Sequence, residues 1–363
     1  MLPTIAVIAG TRPEALKLLP VIDALRHGGV GAVRLIASGQ HQTLFDQMLP
    51  DIAPDMELGL MQEGDPPGRF LARAAAVLAE ALGHVDPALA IVQGDTATAY
   101  AGALAAFRLG IPIAHVEAGL RTASIAEPFP EELFRRAIAR LATLHFAPTP
   151  RARDNLLAEG VASGAVHLTG NTGIDRLMSA LEDPRPSPAA EALLSGIGDG
   201  RFALTTVHRR ENRGKALEGV ARGISKVAHA HALPVILPLH PAPDLQPLAD
   251  MLCGDPLIQL SAPIDHAAIV RLLVRAALVV TDSGGLQEEA ATLGIPVVVL
   301  RTRTERMEAV EDGRAMLAGS DPEAILSAAG EMLEKGRFPR STLFGDGAAA
   351  PRIAARIAEW LRR

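Results

Sequence analysis

One cysteine, Cys253, stands in a chain of 363 residues. A lone thiol excludes an internal disulfide and a multi-cysteine metal cluster; it fits a reducing compartment, and a small core position is its expected place. An excess of positive charge is missing too, since 35 lysines and arginines against 41 acidic residues leave a net charge of −6. Without a long basic run, neither nucleic acid nor an anionic membrane is expected as a partner, and local clusters must meet any anion. No apolar run approaches the ~20 residues needed to span a bilayer, and the opening MLPTIAVIAGTRPE lacks the basic lead of a signal peptide. The expectation is a soluble, cytoplasmic protein without membrane insertion. Also absent are the P-loop pattern, a Gly-x-Gly-x-x-Gly after a strand, Asp-x-Asp and His-x-x-x-His. P-loop and standard dinucleotide readings thereby lose support, and nothing demands a metal.

What is present is a regular alternation. At 48% hydrophobic and 21% charged the chain is globular, and its length suits two domains. Short apolar runs at 4–10, 33–39, 88–95, 111–119, 144–149 and 166–171 alternate with amphipathic helical stretches. The proline- and glycine-rich segment 182–200 breaks the rhythm, which restarts with runs at 201–208, 234–240, 257–263, 277–284 and 295–301. Continuous apolar strands separated by helices predict parallel sheets covered on both faces. The fold class is therefore α/β, with two doubly wound domains whose strand ends face one another across a cleft. The final stretch APRIAARIAEWLRR spaces Ile353, Ile357, Trp360 and Leu361 as one helix that packs on a domain.

In such sheets ligands sit at the carboxyl ends of strands, so the polar residues there carry the functional reading. GTRPEALK (10–17) ends the first strand, and Arg12 and Lys17 bring positive charge to a helix start, a phosphate or carboxylate handle. A capped helix with a solvated arginine is the plain alternative. Pro20 predicts a kink or break in that helix. Asp95, then His115, Glu117 and Arg121, then Glu131 and Glu132 place several carboxylates near one rim, as proton transfer at carbon requires. N-capping and solvated helix starts are the alternative, favoured for Glu132. In TTVHRREN, His208 lies beside Arg209 and Arg210, which suits an anionic group, whereas His240 in PLHPAP could be a turn residue. TDSGGLQEEA offers Ser283, Gly284 and Gly285 to phosphate oxygens and a glutamate to vicinal hydroxyls, although paired glutamates at a helix start also complement the dipole.

The ordered stretches GTRPEALK, SGQH, GDT, HVEAGLRT, PFPEE, FAPT, TGNTGID, HRREN, DSGGLQEEA and TER make the chain resemble the non-hydrolysing UDP-N-acetylglucosamine 2-epimerases from about residue 5 to about residue 348. The resemblance implies a glycosyltransferase-B arrangement of two Rossmann-like domains, residues 1–172 and 173–348, with helix 349–363 packing back on the first. It implies reversible conversion of UDP-N-acetylglucosamine to UDP-N-acetylmannosamine through elimination of UDP to a 2-acetamidoglucal, with no metal or other cofactor and a homodimeric state. Carried over, Asp95, Glu117 and Glu131 are the acid–base carboxylates and His208 assists departure of UDP. Arg12 and Lys17 supply charge, Ser283, Gly284 and Gly285 meet phosphate, Glu289 holds the ribose, and Arg306 lies near the sugar or phosphates. Gln40, Thr43, Arg73 and His240 match a regulatory site for a second UDP-N-acetylglucosamine, with Thr43 in place of the usual glutamine. The chain departs from the pattern at Phe134, Ala262, His266 and Ile269 and at TERME and LFGDG. Those departures leave open a modified UDP-hexosamine as substrate; a glycosyltransferase or a nucleotide-sugar sensor on the same scaffold are the other readings.

Overall fold

The computed structural model describes residues 2–39, 53–61, 67–122, 124–198 and 200–363. Among them the chain forms two compact units, Met1–Arg176 with Phe344–Arg363, and Leu177–Leu343. The division falls inside the helix Thr172–Glu182, ahead of the proline-rich segment, part of which itself coils into the helix Pro188–Ser195.

The first unit holds β1 (Thr4–Ala9), β2 (Ala32–Ala37), β3 (Met56–Glu57), β4 (Leu89–Gln93), β5 (Ile113–Val116), β6 (Leu144–Ala147) and β7 (Val166–Leu168). They pair in parallel in the order β3-β2-β1-β4-β5-β6-β7. Alternation along β1 shows why both faces must be covered. Ile5, Val7 and Ala9 join the core under the helix Arg12–His27 and the C-terminal helix Ala349–Leu361, while Ala6 and Ile8 join the core under the helices Pro67–Val85 and Ala97–Arg108. Ile353 and Ile357 of the C-terminal helix are fully buried. Burying each contributes roughly 1.5–3 kcal/mol, enough to hold that helix on this sheet.

The second unit repeats the plan with β8 (Ala203–Thr206), β9 (Val235–Pro238), β10 (Ile258–Ser261), β11 (Leu278–Thr281), β12 (Val297–Val299) and β13 (Ala315–Leu317). The parallel order is β10-β9-β8-β11-β12-β13, with the helices Lys215–Ala230 and Pro322–Lys335 over one face. In each sheet the strand order reverses beside the first strand, between β1 and β4 and between β8 and β11. That reversal opens a crevice at the strand ends, and the turns after those strands line it.

Three expectations are corrected here. The helix Arg12–His27 runs unbroken past Pro20, because Leu18, Leu19, Val21 and Ile22 on either side are buried and hold it. Cys253 is exposed, at the end of the helix Gln246–Leu252, rather than in the core. The helix after TDS begins at Gly284 and has no acidic residue in its first turn, so Glu288 and Glu289 are not dipole complements at its start. No helix of the described residues is long and apolar enough to cross a membrane.

Candidate active site

In the first unit the turn after β1 is packed so closely that only glycine fits. A Cβ on Gly10 would lie 2.0 Å from Thr98 Oγ1 and 2.8 Å from Ser38 Oγ. The turn is then held by a residue that the sequence reading passed over. Glu14, 1% exposed, accepts from Gly10 N–H at 3.2 Å, from Thr11 N–H and Oγ1 at 2.7 Å each, and from Thr96 Oγ1 at 2.7 Å. Burial pushes this carboxyl up to about 7, against the pull of those hydrogen bonds. Thr96 follows Asp95 and also accepts from Ala99 N–H at the start of the next helix. Glu14 thus ties the Arg12 turn to the Asp95 turn.

Glu117 follows β5 with φ +62, a left-handed conformation that costs a non-glycine residue about 1–2 kcal/mol. Its carboxylate is buried and gripped from three elements. Lys17 Nζ meets Oε1 at 2.6 Å, Asn171 Nδ2 donates to Oε1 at 3.0 Å, and Gln93 Nε2 donates to Oε2. Asp95, at the end of the neighbouring β4, accepts Arg135 Nη2 at 2.5 Å. Glu131 opens the helix Glu131–Leu141, half-exposed, after two cis prolyl bonds at Pro128 and Pro130. Glu132 is not solvated as expected but fully buried, where it has a structural role, accepting from Thr122 N–H at 3.0 Å and Arg136 Nε at 2.8 Å. Lys17, Asp95 and Glu117 therefore belong to one strand-end region of the first unit, and Glu131 opens the helix whose Arg135 reaches Asp95.

Other candidates in this unit are taken up by partners within the protein. Arg121 is committed to Glu159 through Nε and Nη2 at 2.8 and 2.7 Å. His115 is fully buried with Nε2 2.8 Å from the Gly94 carbonyl oxygen, and burial holds it down at about 3. Phe134 stacks on Tyr100 with centroids 5.1 Å apart, so it belongs to the core and not to a ligand surface. Arg73 donates to the Leu60 carbonyl through Nε and Nη2. Gln40 and Thr43 lie outside the described residues.

In the second unit the strand ends are organised around Asp282, fully buried after β11. Its carboxylate takes His208 Nδ1 at 3.0 Å, the His208 N–H, the Arg209 N–H at 2.9 Å and Asn212 Nδ2 at 2.9 Å. Burial would raise this carboxyl, but His208 and the donated hydrogen bonds outweigh it and hold it at about 2. The imidazole of His208 is thereby oriented from one side, with His240 stacked at 6.1 Å. Ser283 caps the next helix by accepting from Leu286 N–H, leaving the first-turn amides of Gly284 and Gly285 at the strand end.

Arg306 packs directly under that turn, and a Cβ on Gly284 would lie 2.6 Å from its guanidinium carbon. It donates to Glu288 at 2.8 Å and to Glu305, which also accepts from Arg301. Glu289 receives His266 Nε2 at 2.8 Å. The turn thus combines helix amides, a buried guanidinium below them and a carboxylate one turn further on, the set of groups that a diphosphate and vicinal hydroxyls require.

Comparison with known proteins agrees with both units. The family pattern described as UDP-N-acetylglucosamine 2-epimerase matches residues 24–358. The Bacillus subtilis UDP-N-acetylglucosamine 2-epimerase is 37% identical over 359 residues, covering 96% of this chain and 93% of that protein. Among solved structures, the S. aureus MnaA-UDP co-structure superposes with a TM-score of 0.93 at 34% identity, covering 99% of this chain and 97% of the other. The Neisseria meningitidis UDP-GlcNAc 2-epimerase bound to UDP-GlcNAc does so with a TM-score of 0.90 at 34% identity and 99% coverage of each. With two Rossmann-like units and strand ends of this composition, the chain belongs to the UDP-N-acetylglucosamine 2-epimerase family.

Proposed function

We propose that this protein interconverts UDP-N-acetylglucosamine and UDP-N-acetylmannosamine by inverting C-2 of the bound sugar. The observation that carries the reading is Glu117, a buried carboxylate aimed by Lys17, Gln93 and Asn171 next to the Gly94–Asp95 turn. A C-2 proton is only weakly acidic, so a positioned base must act together with a stabilised leaving group. In the forward direction a carboxylate of this trio takes the C-2 proton while the C1–O bond to the diphosphate breaks. The electron pair of the C–H bond becomes the C1=C2 double bond, and UDP leaves with the electrons of the C–O bond. Re-addition of UDP at C1, with protonation of C-2 from the other face, gives the epimer.

His208, held by Asp282, assists the diphosphate as negative charge develops there. Arg12, Arg306 and the amides at Gly284 and Gly285 supply positive potential, and Glu289 takes the ribose hydroxyls. Two departures from the family pattern, Phe134 and His266, touch Tyr100 and Glu289 and leave Asp95, Glu117 and Glu131 unaltered. The test is incubation with UDP-N-acetylglucosamine in deuterated water. Deuterium is expected at C-2 together with manno product, and turnover that retains all hydrogen at C-2 would refute the mechanism.

A further inference from the structure

Two motifs, TGNTGID (169–175) and FGDG (344–347), surround the points where the chain passes between units, at Arg176 and at Phe344. Gly170 and Gly345 bring these two passages together backbone to backbone. With φ +91 and +125, a Cβ on Gly170 would lie 3.1 Å from Gly345 Cα, and one on Gly345 would lie 3.2 Å from the Asn171 nitrogen. Glycine is required at both. The Asn171 N–H donates to the Phe344 carbonyl at 2.7 Å, and Asp175 accepts from Ala349 and Ala350 N–H at 3.1 and 2.8 Å where the C-terminal helix starts. Together these contacts form a clasp. The side chain of Asn171, 1% exposed, extends it: its carbonyl accepts from Gly173 N–H at 3.0 Å, and its amide donates to Glu117 Oε1 at 3.0 Å.

We propose that Asn171 is a positioning residue for proton transfer, fixing the Glu117 carboxylate from the clasp so that the geometry of the two chain passages is felt at the reacting carbon. The inference rests on the reading of Glu117 as an acid–base group. Lys17 reaches the same oxygen, but it is a point charge on a flexible stem, whereas the Asn171 amide is planar and anchored through its own backbone and carbonyl. Orientation therefore comes from Asn171 and charge from Lys17.

Asn171→Asp in the full chain separates this role from a structural one. The new carboxylate still accepts from Gly173 N–H, yet it places an anion where an amide donated. At about pH 8, kcat should fall on the order of 10²-fold with KM and the Kd for UDP within about threefold of wild type. As pH is lowered to about 6, the deficit should shrink several-fold, because the introduced carboxyl regains a proton to donate. A deficit that ignores pH, or a loss confined to KM, would overturn the proposal. Gly345→Ala, which touches none of the substrate groups, should lower kcat while sparing UDP affinity; unchanged kcat would refute the role of the clasp.

A readout independent of turnover keeps this distinct from the functional reading. Urea unfolding followed by Trp360 fluorescence should show the penalty of Asn171→Asp shrinking at least about fivefold in the unfolding equilibrium constant when Glu117→Gln is also present. Equal penalties in both backgrounds would overturn the link between the two side chains. Absence of any C-2 exchange by wild type would instead refute the epimerase reading, and the unfolding cycle would still decide whether Asn171 holds Glu117.

Discussion

Acidification should pull on the first unit from two sides, through His115 and His145 in one direction and Glu14 in the other. The two histidines are register partners on β5 and β6, and both are buried to within 1%. Burial holds them at about 3 and about 4, against 6.5 for a free imidazole. Depressed histidines mean that the unfolded chain binds more protons below pH 6.5, so their contribution is fully present above that value and is lost as pH falls. From about pH 7.5 to about pH 5 each forfeits roughly 1.5 units' worth, or about 2 kcal/mol. Glu14 works with the opposite sign. Its folded value near 7 lies above the unfolded 4.5, so the native state gains about 2.5 kcal/mol over the same interval as the buried carboxyl takes its proton. These three groups together contribute a loss of about 1.5 kcal/mol.

His115→Gln, which keeps a donor for the Gly94 carbonyl and removes the titration, should abolish that loss. Glu14→Gln should deepen it to about 4 kcal/mol. Trp360, the single tryptophan, packs on the core of this unit, so its fluorescence during urea titration reports this unit rather than the other. If both substitutions changed the pH dependence in the same direction, or neither changed it, the assignment of these buried groups would be refuted.

Asp95→Asn and Glu131→Gln should each lower kcat on the order of 10²-fold or more with UDP affinity near wild type, measured by steady-state kinetics and calorimetric titration of UDP. Weakened UDP binding with normal kcat would show that these carboxylates serve the nucleotide. Asp282→Asn removes the charge and replaces one of the two oxygens that orient His208 and bond Arg209 and Asn212 by a donor. A loss of on the order of 10-fold or more in kcat/KM, with a lower urea midpoint for the second unit by circular dichroism, is expected; wild-type kcat/KM would remove His208 from the mechanism. Glu289→Gln should raise the Kd for UDP several-fold and spare the C-2 exchange rate at saturation. A fall in exchange rate at saturating substrate would count against a ribose role.

The architecture was legible because buried parallel strands must be continuously apolar and their helices amphipathic, a constraint that acts locally and leaves its period in the chain. The same constraint explains why β3, two residues long, left no signal. Asp95, Glu117, His208 and Ser283 could be picked out because each follows directly on an apolar run.

What they do with one another could not be read that way. Lys17 meets Glu117 across 100 residues of sequence, and Asp282 orients His208 across 74. Such pairs exist only once strand register has set which turns are neighbours. Glu14 sits in a quoted motif and still escaped notice, since its second partner, Thr96, comes from another turn 82 residues away. Pro20 and Arg121 were misjudged for a related reason. Buried apolar neighbours and the Glu159 carboxylate outweighed the local rule at each. The sequence by itself determined the class of fold and the family, because those depend on residue type and local period. The tertiary structure alone decided which carboxylate is gripped, which is locked away and what holds the gripped one in place, because burial and hydrogen-bond partners are properties of neighbours in space.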